Sequence, residues 1–463
     1  MKQVVVIQKK LLEDLKQSIE QHNKISHVRL KLDVAVFYLS LLNSIPSFYR
    51  EDNCESDCSI ALHSKKLLSY NWRYSEYINF LIEQGFIIKV SNYGADIGEC
   101  NHYHIATEYY NNEVINYTIT DKTLLKAIER TDCKENEKGF NKRGYCEQTR
   151  PHLIKFFDDK LEIDEVKALE FIKPFLEQGE VRKYTSARHL INEFKYKDWH
   201  YSIKPNTDNR LHSSMTRLNK ILRPCLTYDG EGLGSVDIKS SQPYFFCVIL
   251  KAIMNQDKDL LKRVGATKLL KKKHIQSLFN LNFDEDEVTN FINLIINGDF
   301  YEYFSNILQI KYNEEGKPYR VVSNFSSKGK WFSQPTRTVV FKSKRDLAKN
   351  VVMEIFFSKP RTTIPEAKKF KQEFPSVFKV MSYINYIKEM GVSFDGLLTN
   401  VESYCLLDCV AKRFSEEHPD VPLFSIHDSL ATTQQHLSKL KDSVEILLTN
   451  ITTLRITLIK EIY

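Results

Sequence analysis

Two short β-prone runs carry aspartates far apart in this chain, and together they restrict what it can fold into more than any other feature. The first is Leu233-Gly234-Ser235-Val236-Asp237-Ile238; the second, Phe424-Ser425-Ile426-His427-Asp428-Ser429-Leu430-Ala431-Thr432, places an acid between two short strands, at a hairpin tip. The separation is 428 − 237 = 191 residues. Two carboxylates on neighbouring strands are what a two-metal nucleotidyl-transfer site requires, because cations held there clamp the attacking and leaving oxygens. An isolated aspartate at a strand end is ordinarily a turn or cap residue, so each acid gains its meaning from the other.

At 463 residues the chain can bury a large core, and roughly 100–200 residues per domain predicts two to four domains. The hydrophobic content is an ordinary 42%, and no apolar run approaches the ~18 residues of a membrane span. Met1-Lys2 leads into a short β-like run, Gln3 to Ile7, without a small-residue cleavage site. These features predict a cytoplasmic protein with no membrane partner. Nine unevenly spaced cysteines do not make a disulfide framework and are expected to be reduced thiols. The net charge of +7 hints at a polyanionic partner. Lys262-Arg263 with Lys268, Lys271, Lys272, Lys273 and His274 form one basic stretch, and Arg337, Lys342, Lys344, Arg345 and Lys349 another. Such stretches are more often solvated faces than binding surfaces. The 24 Tyr and 28 Phe add stacking potential, although most aromatic side chains belong to cores.

Residues 28–43 carry apolar side chains at helical spacing, and Tyr74 to Gly85 is a second helix closed by glycine. Phe86 to Val90 and Tyr103 to Ala106 read as two strands around a polar loop. That order predicts a winged-helix-like domain over residues 1–119, a module that commonly docks on nucleic acid but can also serve only in packing. Residues 120–150, with Lys134-Glu135-Asn136-Glu137-Lys138-Gly139, read as a linker, and 120–207 as linker plus a helical, thumb-like region. Cys54, Cys58, Cys100, His102 and His104 supply zinc-ligand chemistry at a spacing that is not that of a standard finger.

Asn209-Arg210-Leu211-His212-Ser213-Ser214 precedes Leu218-Asn219-Lys220, and then comes the Asp237 strand, after which Ser240-Ser241-Gln242-Pro243 should turn into a helix. In Lys344 to Ser358, Arg345, Lys349, Met353 and Phe357 recur every four residues. On a helix this makes one slowly spiralling stripe, two cations followed by two large apolar groups. The cations suit a triphosphate and the apolar pair suits a base. The bland alternative is an amphipathic helix with snorkelling cations.

In this order and spacing, residues 208–440 resemble the family A DNA polymerases, single-subunit enzymes with a right-hand fold. Arg210-Leu211-His212-Ser213 resembles the Arg-Leu-Ser-Ser element, Val236-Asp237 to Gln242 resembles motif A, Arg345 to Phe357 motif B, Phe374-Pro375-Ser376-Val377 the stretch that follows it, and Ile426-His427-Asp428 motif C. The resemblance implies an α+β fold with palm, fingers and thumb: a polymerase part over 208–463, with fingers at about 250–395 and palm at 208–249 and 396–463. It implies Asp237, Asp428 and the backbone carbonyl of Ile238 as ligands of two Mg²⁺ ions, for which Mn²⁺ can substitute. It further implies Gln242, Arg345, Lys349, Met353 and Phe357 around the nucleotide, and Arg210, His427 and Asn219 against nucleic acid. The implied partners are a DNA primer-template, or an RNA one, and deoxynucleoside triphosphates; a protein partner is left unidentified.

The departures matter as much. Met353 stands for the usual phenylalanine, Phe357-Ser358 for Tyr-Gly, Gln242 for the gate glutamate and Ser429 for the glutamate after the motif C aspartate. Methionine in motif B and His-Asp-Ser in motif C are similar to the single-subunit, phage-type RNA polymerases, which keeps RNA synthesis open. Phe357 lacks the tyrosine hydroxyl that in those enzymes helps recognise a ribose, and Gln242 is bulky enough to crowd one, so deoxynucleotides are expected. Exonuclease-type acidic motifs are not apparent before residue 208, which suits accessory synthesis in a mobile element or antiviral defence better than bulk replication. Alternatives are primase-like, protein-primed or template-independent synthesis, and a replication initiator with a degenerate palm. A hydrolase built on His427, Asp428 and Ser429 is disfavoured, because contiguous strand residues alternate faces and cannot form a relay.

Overall fold

The computed structural model describes residues 3–44, 59–91, 100–109, 113–132, 142–203, 208–325, 331–357, 364–387, 391 and 393–463. The chain is a mixed helix and sheet protein that divides into two compact units. The first comprises Met1–Ile203, Leu211–Leu233 and Ile462–Tyr463, and the second Lys204–Arg210 and Gly234–Glu461.

The first unit begins with β1 (Gln3–Gln8), α1 (Lys9–Ile25), α2 (Leu32–Ser44), β2 (Ile60–Leu62), α3 (Ser64–Tyr70), α4 (Tyr74–Glu83), β3 (Ile87–Ser91), β4 (Asn101–Ile105), β5 (Val114–Ile119) and α5 (Lys122–Asp132). Leu11, Leu12, Leu15 and Ile19 bury one stripe of α1, whereas α2 is buried from Asp33 to Asn43 and forms the centre of this core. Asp33 is held by the backbone N–H groups of Thr120 and Asp121, both at 2.6 Å, which ties the start of α2 to the start of α5. The small sheet has the order β2-β4-β3, all antiparallel, and β1 pairs antiparallel with β5 along its whole length.

The linker expected over 120–150 is corrected among the described residues. Leu124, Ala127 and Ile128 recur at helical spacing and are buried on α5, with Leu124 and Ile128 in the amino-terminal core. Lys134 to Gly139, Cys54 and Cys58 lie outside the described residues. The division into units runs through Ile203, Arg210 and Leu233.

The unit continues with α6 (Lys142–Thr149), α7 (Pro151–Ile154), β6 (Leu161–Ile163), α8 (Glu165–Glu177), α9 (Val181–Lys195), β7 (Tyr201–Ile203), β8 (Leu211–Ser213), α10 (Ser214–Arg217) and β9 (Leu226–Tyr228). Ser213 and Thr216 form a reciprocal capping box that starts α10. Turning the chain there sets Arg217 against Glu193 of α9, an ion pair with both side chains buried.

The second unit takes up β10 (Glu231–Ile238) from Gly234 onward, then α11 (Ser241–Met254), α12 (Lys258–Arg263), α13 (Lys272–Phe279), α14 (Glu285–Asn297), α15 (Phe300–Ile307), β11 (Lys311–Tyr312), β12 (Pro318–Phe325), β13 (Trp331–Val340) and α16 (Lys344–Phe357). It ends with α17 (Pro365–Glu373), α18 (Pro375–Asn385), α19 (Phe394–Ser403), α20 (Ala411–Glu417), β14 (Phe424–Ile426), β15 (Ser429–Thr433), α21 (Leu437–Thr452) and β16 (Leu458–Ile462). In this unit β14, β15 and β10 lie in that order, and β16 also pairs with β10. Gly234 is required in β10: a Cβ there would sit 2.9 Å from the Glu461 carbonyl oxygen and 2.9 Å from Leu437 Cδ2.

Phenylalanines hold the helices together. Phe246 of α11 meets Phe394 of α19 edge-on at 4.7 Å between centroids, and Phe356 of α16 meets the same ring at 5.5 Å. Phe291 of α14 contacts Phe300 and Phe374, each at 5.1 Å. Edge-to-face pairs of this kind contribute about 0.5–1.5 kcal/mol each beyond their buried area. The abundance of Phe in the sequence is thus largely this core, which fixes α16 and α19 against the helix that follows Asp237.

Candidate active site

Four consecutive residues of β10, Leu233 to Val236, are buried, as in a strand covered on both faces, and Asp237 falls on a half-buried position near its end. One of its carboxylate oxygens, Oδ1, is buried with no hydrogen-bond partner among the described residues. Burial, and next the negative charge of Asp428, raises the Asp237 carboxyl to about 6; the cationic Lys349 opposes that rise and Glu402 adds to it. Asp428 stands in the two-residue turn between β14 and β15, where Ile426 pairs with Ser429. The turn is strained: His427 adopts φ +57°, in the left-handed region, and so does Ser240 at +56° just after Asp237. Non-glycine residues held there cluster at functional sites, because surrounding structure must keep them in place.

Glu402, on α19, gathers the rest of the site. It is 1% exposed and forms an ion pair with Arg210, whose Nε donates to Glu402 Oε1 at 3.0 Å and whose Nη2 reaches the same oxygen. Its other oxygen, Oε2, accepts from the Ser241 hydroxyl and from the Gln242 amide, each at 2.6 Å. Burial raises the Glu402 carboxyl, Arg210 pulls it back and Asp428 pushes it up again. Beside it the Asn209 side-chain amide donates to Asn400 Oδ1. The helix then passes directly into a π-helical stretch, Tyr404–Val410, a wider turn that recurs at functional sites because it changes which face a side chain occupies.

α16 is helical over the whole predicted stripe. Leu347, Ala348, Val351, Val352, Ile355 and Phe356 bury its inner face, leaving Arg345 and Met353 half-buried and Lys349 and Phe357 exposed. Arg345 lies over the Tyr301 ring, 5.4 Å from its centroid. Lys349 acts on Asp237 by charge, which links the middle of this helix to the end of β10.

Of the residues predicted from sequence, Asp237, Asp428, Lys349, Gln242 and Arg210 are therefore brought into one electrostatic and hydrogen-bonded group, with Glu402 at its centre. His427 and Ile238 adjoin it in the chain. Asn219 belongs to the first unit, where its side chain accepts from the Ile221 N–H at 3.2 Å and caps the short 3₁₀ turn Lys220–Cys225. That local bond accounts for it structurally.

Two mutually repelling carboxylates, one with an orphaned buried oxygen, fit a divalent cation. Among the described residues there is no group of three or more His, Cys, Asp or Glu arranged to hold a metal, so protein ligation would rest on the aspartate pair. The histidines considered for zinc are otherwise engaged: His102 shares a hydrogen bond with Ser59 at 3.2 Å and His104 Nδ1 lies 2.7 Å from the Ile105 carbonyl oxygen.

No protein-family model matches the chain, and no curated protein matches it. Among solved structures, it is similar to the polymerase domain of Pol1 from M. smegmatis in complex with DNA primer-template and dNTP, with a TM-score of 0.27 and 10% identity, over 96% of this chain and 72% of that one. At that TM-score the likeness decides nothing about fold or chemistry.

Sequence reasoning missed Glu402. A signal was present: a lone carboxylate inside Leu397-Leu398-Thr399-Asn400-Val401-Glu402-Ser403-Tyr404-Cys405-Leu406-Leu407, on a helix otherwise fit only for a core. A charge in that setting is buried only when it is paired.

Proposed function

We propose that the protein is a template-directed nucleotidyltransferase that extends a DNA primer with deoxynucleotides. The observation that carries this reading is the Asp237 carboxylate, with its unpartnered buried Oδ1, in the opposing fields of Asp428 and Lys349. Asp237 and Asp428 would hold divalent cations, Mg²⁺ in the first instance. When bound, such ions lower the pKa of an attacking hydroxyl and neutralise a leaving pyrophosphate.

The chain's own residues would then divide the remaining work. Lys349 and Arg345 would bind the triphosphate, and fixed cations of this kind contribute most where charge develops in the transition state. Met353 and Phe357 would receive the base. Gln242, buried and bonded to Glu402, would bound the sugar pocket, and its bulk would exclude a 2′-hydroxyl. Arg210 would hold Glu402 in place and reach the duplex backbone with the quarter of its side chain that stays exposed. His427 would approach the primer terminus. In this reading the second unit is palm and fingers, the helical part of the first unit serves as a thumb, and the helix–strand–helix–helix–strand–strand order of α2 to β4 is a winged-helix module.

Extension of a labelled primer on DNA and RNA templates, with dNTPs or NTPs offered separately, tests the proposal beside an Asp428→Ala control. Extension with dNTPs that the substitution abolishes is expected. Preference for NTPs would overturn the sugar assignment, and binding of primer-template without extension would leave an initiator with a degenerate palm.

A further inference from the structure

The segment Asn297-Gly298-Asp299-Phe300-Tyr301 joins α14 to α15 and lies against the residues that follow Asp237. Gly298 closes α14 in the left-handed region, at φ +82°. Space as well as conformation excludes a side chain there, because a Cβ would collide with Lys239 Nζ and lie 2.8 Å from Lys239 Cε. The Lys239 ammonium thus rests at the carboxyl end of α14, where the helix dipole favours a cation. One residue on, Ser240 is itself left-handed, and its side chain shares a hydrogen bond with the Tyr301 hydroxyl.

Tyr301 is 2% exposed, and its neighbour Phe300 is fixed in the phenylalanine core by Phe291 and Phe374. Arg345 lies over the Tyr301 ring, 5.4 Å from the centroid. Arg345 is half-buried, and among the described residues its guanidinium has no carboxylate as an ion-pair partner. That difference in partner decides what the cation can still do. A carboxylate would neutralise it, whereas an aromatic face orients the guanidinium and leaves its charge and N–H donors for an anion. Arg345 stands one turn of α16 before Lys349, whose charge reaches Asp237. Tyr301 therefore joins two parts of the site: the turn just after Asp237 through its hydroxyl, and the first cation of the α16 stripe through its ring.

We infer that Tyr301 is a positioning residue for polyphosphate binding, its ring holding the Arg345 guanidinium in place and its hydroxyl tying that ring to the Asp237 strand. It acts through Arg345 rather than on the substrate. An unbraced arginine samples many rotamers, and ordering it at the moment of binding costs affinity; a ring that orders it during folding removes that cost. The inference deepens the nucleotidyltransferase reading and rests on it for the identity of the polyphosphate, a deoxynucleoside triphosphate.

The test is calorimetric titration of the full chain with dATP and with inorganic tripolyphosphate, in Mg²⁺ and without primer-template, so that binding is read without turnover. Tyr301→Leu is expected to weaken both about tenfold, and Tyr301→Phe, which keeps the ring, to bind within about twofold of the parent. On an Arg345→Ala background, Tyr301→Leu should cost no more than about twofold further, because residues that act through one another are not additive. Equal losses in the two backgrounds would make Tyr301 a packing residue only and overturn the inference. Fluorinated phenylalanines at position 301 keep the ring's shape and withdraw charge from its face, which guards against a folding defect in Tyr301→Leu. Affinity that falls stepwise with fluorination is expected, and a flat series would overturn the inference. So would a parent that binds neither probe. A parent that extends primers while Tyr301→Leu and the fluorinated series bind as it does fails only this inference. A parent that binds tripolyphosphate through Tyr301 and Arg345 but never extends a primer fails only the polymerase reading.

Discussion

The Gln242 amide donates to Glu402 Oε2 at 2.6 Å, joining residues 160 positions apart in a buried bond whose acceptor is also the counter-ion of Arg210. A hydrogen bond to a charged acceptor contributes about 1.5–3 kcal/mol, more than a neutral one. Glu402→Gln keeps the shape and removes the charge. It is expected to lower kcat/KM for dNTPs about tenfold, while Gln242→Ala should raise ribonucleotide incorporation relative to deoxynucleotide by about 10- to 100-fold. Competition assays with paired dNTP and NTP would expose the error if neither ratio moves.

Removing the metal should be visible in stability. Asp237 and Asp428 repel without a cation between them, so about 10 mM Mg²⁺ is expected to raise the parent's melting temperature by about 2–4 °C. Asp237→Asn relieves the same repulsion covalently. It should melt higher than the parent in EDTA and gain little from Mg²⁺, and equal Mg²⁺ shifts in the two proteins would remove the aspartate pair as the cation site.

In the first unit, Arg217 pairs with Glu193 where both side chains are 8% exposed, and Ser214 donates to the same carboxylate at 2.9 Å. Burial alone would raise the Glu193 carboxyl, but Arg217 and His189 together hold it down at about 2. Its stabilising contribution is therefore complete above pH 4.5, where the unfolded side chain is ionised, and is lost as pH falls towards 2. Glu193→Ala removes the buried carboxylate that pairs with the Arg217 guanidinium and should cost about 3–5 kcal/mol, whereas the double variant Glu193→Leu/Arg217→Met should recover much of that. Denaturant midpoints for the single and double variants measure the difference.

His200 titrates in a different window. Burial, and then the Arg217 charge, push its imidazole down to about 4. Between pH 6.5 and 4 the unfolded chain takes up a proton that the folded chain refuses, so stability falls as pH drops through that range and levels off below it. The parent should lose about 2 kcal/mol more than His200→Gln between pH 7.5 and 4. Parallel pH profiles for the two proteins would contradict the assignment.

Where the sequence was legible, a local period made it so. The four-residue recurrence of Arg345, Lys349, Met353 and Phe357 is a helix face whichever fold surrounds it, and the complementary buried positions Leu347, Val351 and Ile355 follow from the same geometry. Short apolar runs on either side of Asp428 likewise foretold a hairpin. The misreading of 120–150 came from weighting its charges above its period: Leu124, Ala127 and Ile128 were already spaced for a buried helix face.

By itself, then, the sequence determined where helices and strands form, which of their faces are apolar, which two aspartates could act together and where the positive charge is concentrated. These are properties of neighbours within a few residues, or of composition. Only the tertiary structure decided that Glu402 sits between Arg210, Ser241 and Gln242, that Asp237 is left with an unpartnered oxygen, and that Asn219 serves as a local cap. The physical reason is that a buried charge is tolerated through its partners, and partners 160 to 192 residues away are chosen by packing of the phenylalanine core and a π-helical turn, neither of which leaves a period in the sequence.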